Sequence, residues 1–341
     1  MKQLAPNAHV LVINVTRIGD TLLNVPALRA LKAALPDGSL TVLGHPKRVS
    51  VLKHLPFIDR LGAITPLRAQ FKARLPGKKR FDVAFVYHDH PALLAYARRV
   101  ARYTVGFTPG DRLHAPDLDL CVDKPREGHA VALNLALPAA MGVPAVSRKL
   151  EFALTEAEQR RAQQWLRQQG LADARVIGLQ VASFPTKAYR DWPVHHFAEL
   201  IQWLLSDDPT LKFLILGDAL SRSRASALQA SFPDQVFSAA GAFNLRENAA
   251  VMAQLAMYIG VDTGPTHMAN ALGIPMVSLY HCMHPSTVYG PLERDFAATV
   301  DHPAPASRCG RTTPMSEITV AAVYAAFTSV WQRCYPAKAN S

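Results

Sequence analysis

Tyr258-Ile259-Gly260-Val261-Asp262-Thr263-Gly264-Pro265-Thr266-His267-Met268-Ala269-Asn270-Ala271-Leu272-Gly273 reads as a strand, a tight turn and a helix. Residues 258–261 are apolar and do not alternate, which is the pattern of a strand buried on both faces. Gly264 lets the backbone turn and approach a ligand closely. Pro265 suits the start of a helix, with Thr263 or Gly264 as its cap. Ala269 and Ala271 let that helix pack near the sheet, and Gly273 ends it. The free N–H groups at such a helix start attract anions, and His267 lies in the first turn. Two readings are open: a diphosphate site, or an ordinary capped strand–turn–helix.

The same alternation extends outward in both directions. Val10-Leu11-Val12-Ile13 is a short buried strand, followed by a turn and a helical pattern carrying Leu28, Leu31 and Leu35. Further strands are expected at residues 39–43 and 82–87, and a helix at 129–141. Thr155 and Glu158 then form a capping box for a helix running to Gly170. Strands are expected at 176–180, 211–216 and 276–280, and a last helix at about 316–333. Strands alternating with helices imply parallel sheets. The chain therefore reads as α/β, with two Rossmann-like halves meeting near residues 143–155. Ligand sites belong at the carboxyl ends of such strands.

A chain of 341 residues is long for one core, and 49% hydrophobic with 18% charged residues is ordinary for packed domains. The net charge of +11 implies acidic partners. The four cysteines form no C-x-x-C pair, so neither a disulfide framework nor a zinc site is expected, and a reducing cytoplasm fits. No apolar run approaches the ~20 residues that span a bilayer, and the first residues lack a signal-peptide pattern.

Two more stretches carry chemistry. In Arg17-Ile18-Gly19-Asp20-Thr21, Asp20 stands at the mouth of a helix after the first strand, as a general base or merely as a cap. The stretch is not a dinucleotide fingerprint. In Lys187-Ala188-Tyr189-Arg190-Asp191-Trp192-Pro193, two cations precede a helix, either to hold charge on a leaving phosphate or as a solvated loop.

Ile18-Gly19-Asp20 with Pro26-Ala27-Leu28-Arg29-Ala30-Leu31-Lys32 resembles the opening of the family 9 glycosyltransferases, the lipopolysaccharide heptosyltransferases. Arg190-Asp191-Trp192-Pro193 resembles their K-x-W-P segment. Gly241-Ala242-Phe243-Asn244-Leu245-Arg246-Glu247 resembles their G-x-x-x-L-x-E, and Asp262-Thr263-Gly264 with His267 their D-T-G-x-x-H. The resemblance implies a GT-B fold, two Rossmann-like domains whose parallel sheets face a cleft. Residues 1–150 would bind the acceptor and residues 151–335 the nucleotide-sugar. It implies inverting transfer of heptose from ADP-heptose to a lipopolysaccharide-core sugar, with Asp20 as catalytic base. Donor-binding residues would be Lys187, Arg190, Phe243 (lining the adenine pocket), Asp262, Thr263, Gly264, Thr266 and His267. The acceptor would meet Arg17, Gly19, Lys78, Arg80 and His88. No metal cofactor is implied. The partners it implies are the nucleotide-sugar and a core glycolipid, with no nucleic acid, and it leaves room for peripheral contact in the cytoplasm at the inner face of the inner membrane.

The chain departs from the pattern at three places. Asp218 follows Gly217 where the family often has a ribose-holding Glu. Tyr87-His88-Asp89-His90 replaces its D-x-Q, and Arg190 replaces a Lys, keeping the charge but not the shape. A different nucleotide-sugar donor and a non-catalytic carbohydrate-binding relative are the alternatives. Three other signals are discounted. Asp117-Leu118-Asp119 has the D-x-D spacing of metal-dependent transferases but no supporting pattern. As metal sites, the pairs His88/His90 and His281/His284 are expected by chance among 13 histidines; His281 and His284 follow a strand's end, where contact with substrate is expected instead. The basic loop 68–80 lacks the interleaved aromatics of a nucleic-acid site; it would meet the anions of a glycolipid or a membrane, or simply be solvated.

Overall fold

The computed structural model describes residues 3–110 and 116–336. The chain divides into two compact units, Met1–Ala153 and Leu154–Ser341.

The first unit contains β1 (His9–Asn14), α1 (Ile18–Leu23), α2 (Val25–Ala33), β2 (Ser39–Gly44), β3 (Arg60–Ala63), α3 (Pro66–Arg74), β4 (Phe81–Val86), α4 (Pro91–Val100), β5 (Ala101–Phe107), β6 (Leu120–Val122) and α5 (Ala130–Ala139). All its strand pairs are parallel, in the order β3-β2-β1-β4-β5-β6. Leu11, Ile13, Ala84 and Val86 pack against Leu93, Leu94 and Ala97 of α4.

The second unit contains α6 (Glu156–Gln168), β7 (Val176–Gln180), α7 (Val194–Asp207), β8 (Lys212–Ile215), α8 (Arg222–Ser231), β9 (Val236–Ser238), α9 (Leu245–Met252), β10 (Met257–Val261), α10 (Gly264–Leu272), β11 (Met276–Tyr280), α11 (Ser286–Tyr289), β12 (Ala297–Asp301) and α12 (Val320–Cys334). Its sheet is parallel too, in the order β12-β11-β10-β7-β8-β9. Ile177, Leu179, Phe213, Ile215 and Ile259 form one core with Phe197 and Leu204 of α7 and Val323 and Phe327 of α12.

The two sheets share one topology. In each, the first strand of the unit lies beside the fourth, and the order reverses there. Ligands of open α/β sheets bind outside the carboxyl ends of the strands at that reversal. It falls at β1/β4 in the first unit and at β7/β10 in the second.

The strands expected from apolar runs are all present. Those missed (β3, β6, β9 and β12) lie at or next to sheet edges, and their partly exposed residues give no continuous apolar run. β5 was also missed, because α4 runs into it with no turn residue between them. The helix expected after Asp20 is broken at Asn24 into α1 and α2. Pro26 lacks an N–H and crowds the preceding turn, so the chain restarts there. The last helix begins later than residue 316: a 3-10 turn, Met315–Glu317, precedes α12, whose cap is Thr319. The Thr155–Glu158 capping box is present, and Arg246 adds an ion pair to Glu158. No described helix is long and apolar enough to cross a membrane.

Candidate functional site

In the second unit the site is assembled from loops leaving adjacent strands. β10 ends at Val261, and Asp262 to Gly264 make the turn into α10. Thr263 is the N-cap but makes no side-chain capping bond, so the helix N-terminus is left to other acceptors. Gly273 ends α10 in the left-handed conformation, φ 73°, which favours glycine. The Thr266 side chain turns inward: its hydroxyl donates to Val261 O and lies 2.9 Å from the Tyr258 hydroxyl. It is 1% exposed, so it braces the turn from beneath and is not placed to meet a ligand.

After β7, a 3-10 turn (Pro185–Arg190) carries both expected cations. Trp192 anchors it: the indole is fully buried and its N–H donates to Ile318 O at 2.8 Å. Asp191 accepts from the Ser183 N–H and pairs with Arg224 at 2.8 Å, so its charge is spent on the loop.

Arg190 Nη1 meets Asp262 Oδ2 at 2.7 Å, and His267 Nε2 lies 3.4 Å from Asp262 Oδ1. Burial pushes the Asp262 carboxyl up, but the His267 hydrogen bond and the charges of His267 and Arg190 outweigh it and hold the group below the usual carboxylate range. Asp262 is thus an ionised, buried bridge between α10 and the cationic loop.

Tyr189 stands at the centre of this charge. The guanidinium carbon of Arg190 is 5.6 Å from its ring centroid, Lys187 Nζ 5.8 Å and the Arg311 guanidinium carbon 5.9 Å. Its hydroxyl lies 3.1 Å from His284 Nε2. Burial opposes ionisation of this phenol, but bonding and charge from Arg190 and Lys187 bring its pKa below the ordinary value. Burial, then the Arg190 charge, pushes His284 down to about 4, so it is neutral at physiological pH. Like charges held this close repel one another, and an anion seated among them turns the repulsion into attraction.

Phe243 precedes α9, half-buried and edge-on to Trp165 at 4.9 Å. Asp218 is exposed, and its carboxylate caps the next turn by accepting from the Leu220 N–H.

In the first unit, the turn after β1 is held by Thr16, whose hydroxyl donates to Asn14 Oδ1, and by Arg48, which donates to Thr16 O. Asp20 lies in the first turn of α1. The N-cap is Arg17, with no side-chain capping bond, so Asp20 is not the cap of that helix. It is exposed and makes no hydrogen bond or ion pair among the described residues. Arg17 and Gly19 flank it. His88 follows β4, across the strand-order reversal, and its Nδ1 accepts from the His90 N–H. His90 caps α4. Lys78 and Arg80 are not brought to this place. They precede β4, and the Arg80 N–H bonds Val100 O at the amino end of the strands. That is one strand length away from the reversal, roughly 20 Å.

Asp119 of the D-x-D stretch is consumed by an ion pair to Arg98 and by Thr104. The expectation against a disulfide is corrected: Cys282, after β11, is bonded to Cys309, after β12. Twenty-seven positions separate them, and only the parallel pairing of β11 with β12 makes them neighbours. Ligand atoms of His281, Cys282 and Cys309 lie within 4.8 Å of one another, a spacing that could hold a metal ion. With both sulfurs in the disulfide, neither is available as a thiolate ligand. Tyr189 and Arg311 are the residues that sequence reasoning left out of the donor site; His284 was expected to contact substrate, without a place in that site. The only available signal was the run of ring-bearing and cationic residues after each strand.

The sequence profile of glycosyltransferase family 9 (heptosyltransferase) matches residues 69–318. The lipopolysaccharide core heptosyltransferase OpsX of Haemophilus influenzae is 23% identical over 194 residues, 54% of this chain and 52% of that protein. The match thus spans about half the length of this curated relative. The crystal structure of a family 9 glycosyl transferase from Veillonella parvula superposes with a TM-score of 0.85 at 22% identity, covering 97% of this chain and 100% of that one. The E. coli ADP-heptose lps heptosyltransferase II gives 0.77 at 18% identity, covering 95% and 99%. The architecture is that of the GT-B class.

Proposed function

The chain belongs to glycosyltransferase family 9 (heptosyltransferase), and from that premise we propose that it transfers a heptose from ADP-heptose to a lipopolysaccharide-core sugar with inversion at the anomeric carbon. The observation that carries this reading is the N-terminus of α10, without a side-chain capping bond, beside the Arg190–Asp262–His267 bridge, with Lys187 and Arg190 together on the Tyr189 ring. That arrangement suits a diphosphate. As the anomeric C–O bond breaks, negative charge grows on the departing ADP, and the two cations and the helix dipole stabilise it. Thr263 and Gly264 let the phosphates approach the backbone, and Phe243 offers a face to the base. The first unit takes the acceptor, with Arg17, Gly19 and His88 beside Asp20. The unpaired Asp20 carboxylate accepts the proton of the attacking hydroxyl. The charge on the leaving group is met by side chains and a helix terminus, so a metal has no assigned role. The product glycolipid places the work at the inner face of the inner membrane. Lys78 and Arg80, at the opposite end of the strands, have no part in this chemistry.

A second donor is favoured by one observation: Asp218, where a ribose-holding Glu is often found, is already engaged as a cap. Thermal unfolding with ADP, UDP, GDP and their sugars, in EDTA, tests both. A ligand at 100 times its dissociation constant stabilises by ~2.7 kcal/mol. A selective rise with ADP species supports the reading. A rise with UDP or GDP alone moves the chain to another donor. No response to any of them favours a non-catalytic relative.

A further inference from the structure

We propose that Arg311 is a third cation of the diphosphate site and that the Cys282–Cys309 disulfide holds it there. This rests on the donor reading above and adds to that site a residue and a redox dependence.

Arg311 is far from Lys187 and Arg190 in sequence, yet all three converge on the ring of Tyr189. Asp262 neutralises Arg190. Arg311 and Lys187 have no carboxylate within ion-pair distance among the described residues, so the cluster keeps an excess of positive charge. An exposed arginine is ordinarily free to swing, which makes it a weak ligand because ordering it costs side-chain entropy. Here the chain on both sides is tied down. Cys309, two residues before, is bonded to Cys282. The Gly310 N–H donates to Thr313 Oγ1. The buried rings of His281 and His302 donate from Nε2 to Thr313 O and Pro314 O, each at 3.0 Å, while their Nδ1 atoms accept from the N–H groups of Met283 and Ala304. Four ties on six residues are far more than a solvated loop needs to close. They fix the backbone from which Arg311 reaches the ring.

The disulfide ties this loop to the turn that also carries His284, the partner of the Tyr189 hydroxyl. Reduction takes two electrons and two protons, supplied by a dithiol that itself becomes a disulfide, and leaves two thiols. The loop then loses its covalent tie nearest Arg311. In a reducing compartment the donor site would work with two fixed cations, and under oxidation with three.

Calorimetric titration of the full chain in EDTA, with ADP, AMP and inorganic pyrophosphate as probes, tests this. Arg311→Met should weaken ADP and pyrophosphate about tenfold and AMP less, and Arg311→Lys should recover part of the loss. Cys282→Ser/Cys309→Ser, or dithiothreitol on the unmodified chain if that variant folds poorly, should weaken ADP similarly. Adding Arg311→Met to the reduced protein should then cost little more. Unchanged ADP and pyrophosphate binding by Arg311→Met overturns the proposal, as do losses that simply add. Pyrophosphate binding that depends on Arg311, without ADP binding, keeps the proposal and overturns the ADP donor. Absence of binding by both probes overturns both.

Discussion

Replacing Arg190 with Leu separates the structural from the ligand-binding part of the cationic loop. The side chain is 14% exposed and its partner Asp262 5%. Removing one member of a buried pair costs ~3–5 kcal/mol, largely because the other charge stays buried and unpaired. His267 remains beside Asp262, which points to the lower end, about 3 kcal/mol. For a unit of this size that is a fall in Tm of roughly 6–12 °C. Arg190→Leu should also weaken ADP roughly ten- to hundredfold, the worth of a charge-assisted bond to phosphate. Asp262→Asn on top of Arg190→Leu removes the stranded charge, so the double variant should recover most of the lost Tm but none of the ADP affinity. The pH dependence has a defined sign. Asp262 is depressed in the folded protein, so its contribution is present above the ordinary carboxylate pKa and is lost as pH falls below it. Without Arg190 the carboxyl titrates higher, so the deficit of the single variant is largest near neutrality and narrows toward about pH 4. Differential scanning calorimetry across that range, with ADP titration at neutral pH, reads all three. Equal Tm for single and double variants, or ADP affinity restored by the second substitution, would refute the reasoning.

Asp20→Asn should abolish transfer while leaving ADP binding unchanged, measured by turnover and calorimetry on one preparation; retained turnover removes Asp20 as the base. Glu158→Gln should lower Tm at pH 7, because the carboxylate serves both the capping box and Arg246. Its folded pKa is about 2, so the difference from the parent should close as pH falls from about 4.5 to about 2. Trp192→Phe removes the donor to Ile318 O and leaves a cavity, and should cost about 2–3 kcal/mol in urea unfolding. Turnover in EDTA should equal turnover without it; a metal requirement would shift the leaving-group role away from Lys187 and Arg190.

The sequence by itself determined the α/β class, the position of the chain division, and the strand–turn–helix units at Asp20 and Asp262. Each rests on local physics: apolar runs the length of a strand, a glycine or proline where the backbone turns, and a helix start with free N–H groups. The central strands β1, β4, β7, β10 and β11 were legible because they are buried on both faces. The edge strands were not, because they lack that burial. Charge alone did not sort the basic residues. By charge Lys78 and Arg80 look as suitable for an anion as Lys187 and Arg190; it is their place before the strand at 81–86, rather than after it, that puts them at the amino end of the sheet. Only tertiary structure sorts the motif at residues 262–267: Thr266 turns inward while Asp262 reaches Arg190, a difference set by packing under α10. The Arg190–Asp262 bridge, the ring of cations on Tyr189 and the Cys282–Cys309 bond join residues from separate loops. The parallel order β12-β11-β10-β7 makes those loops neighbours, and no local pattern in the chain encodes it.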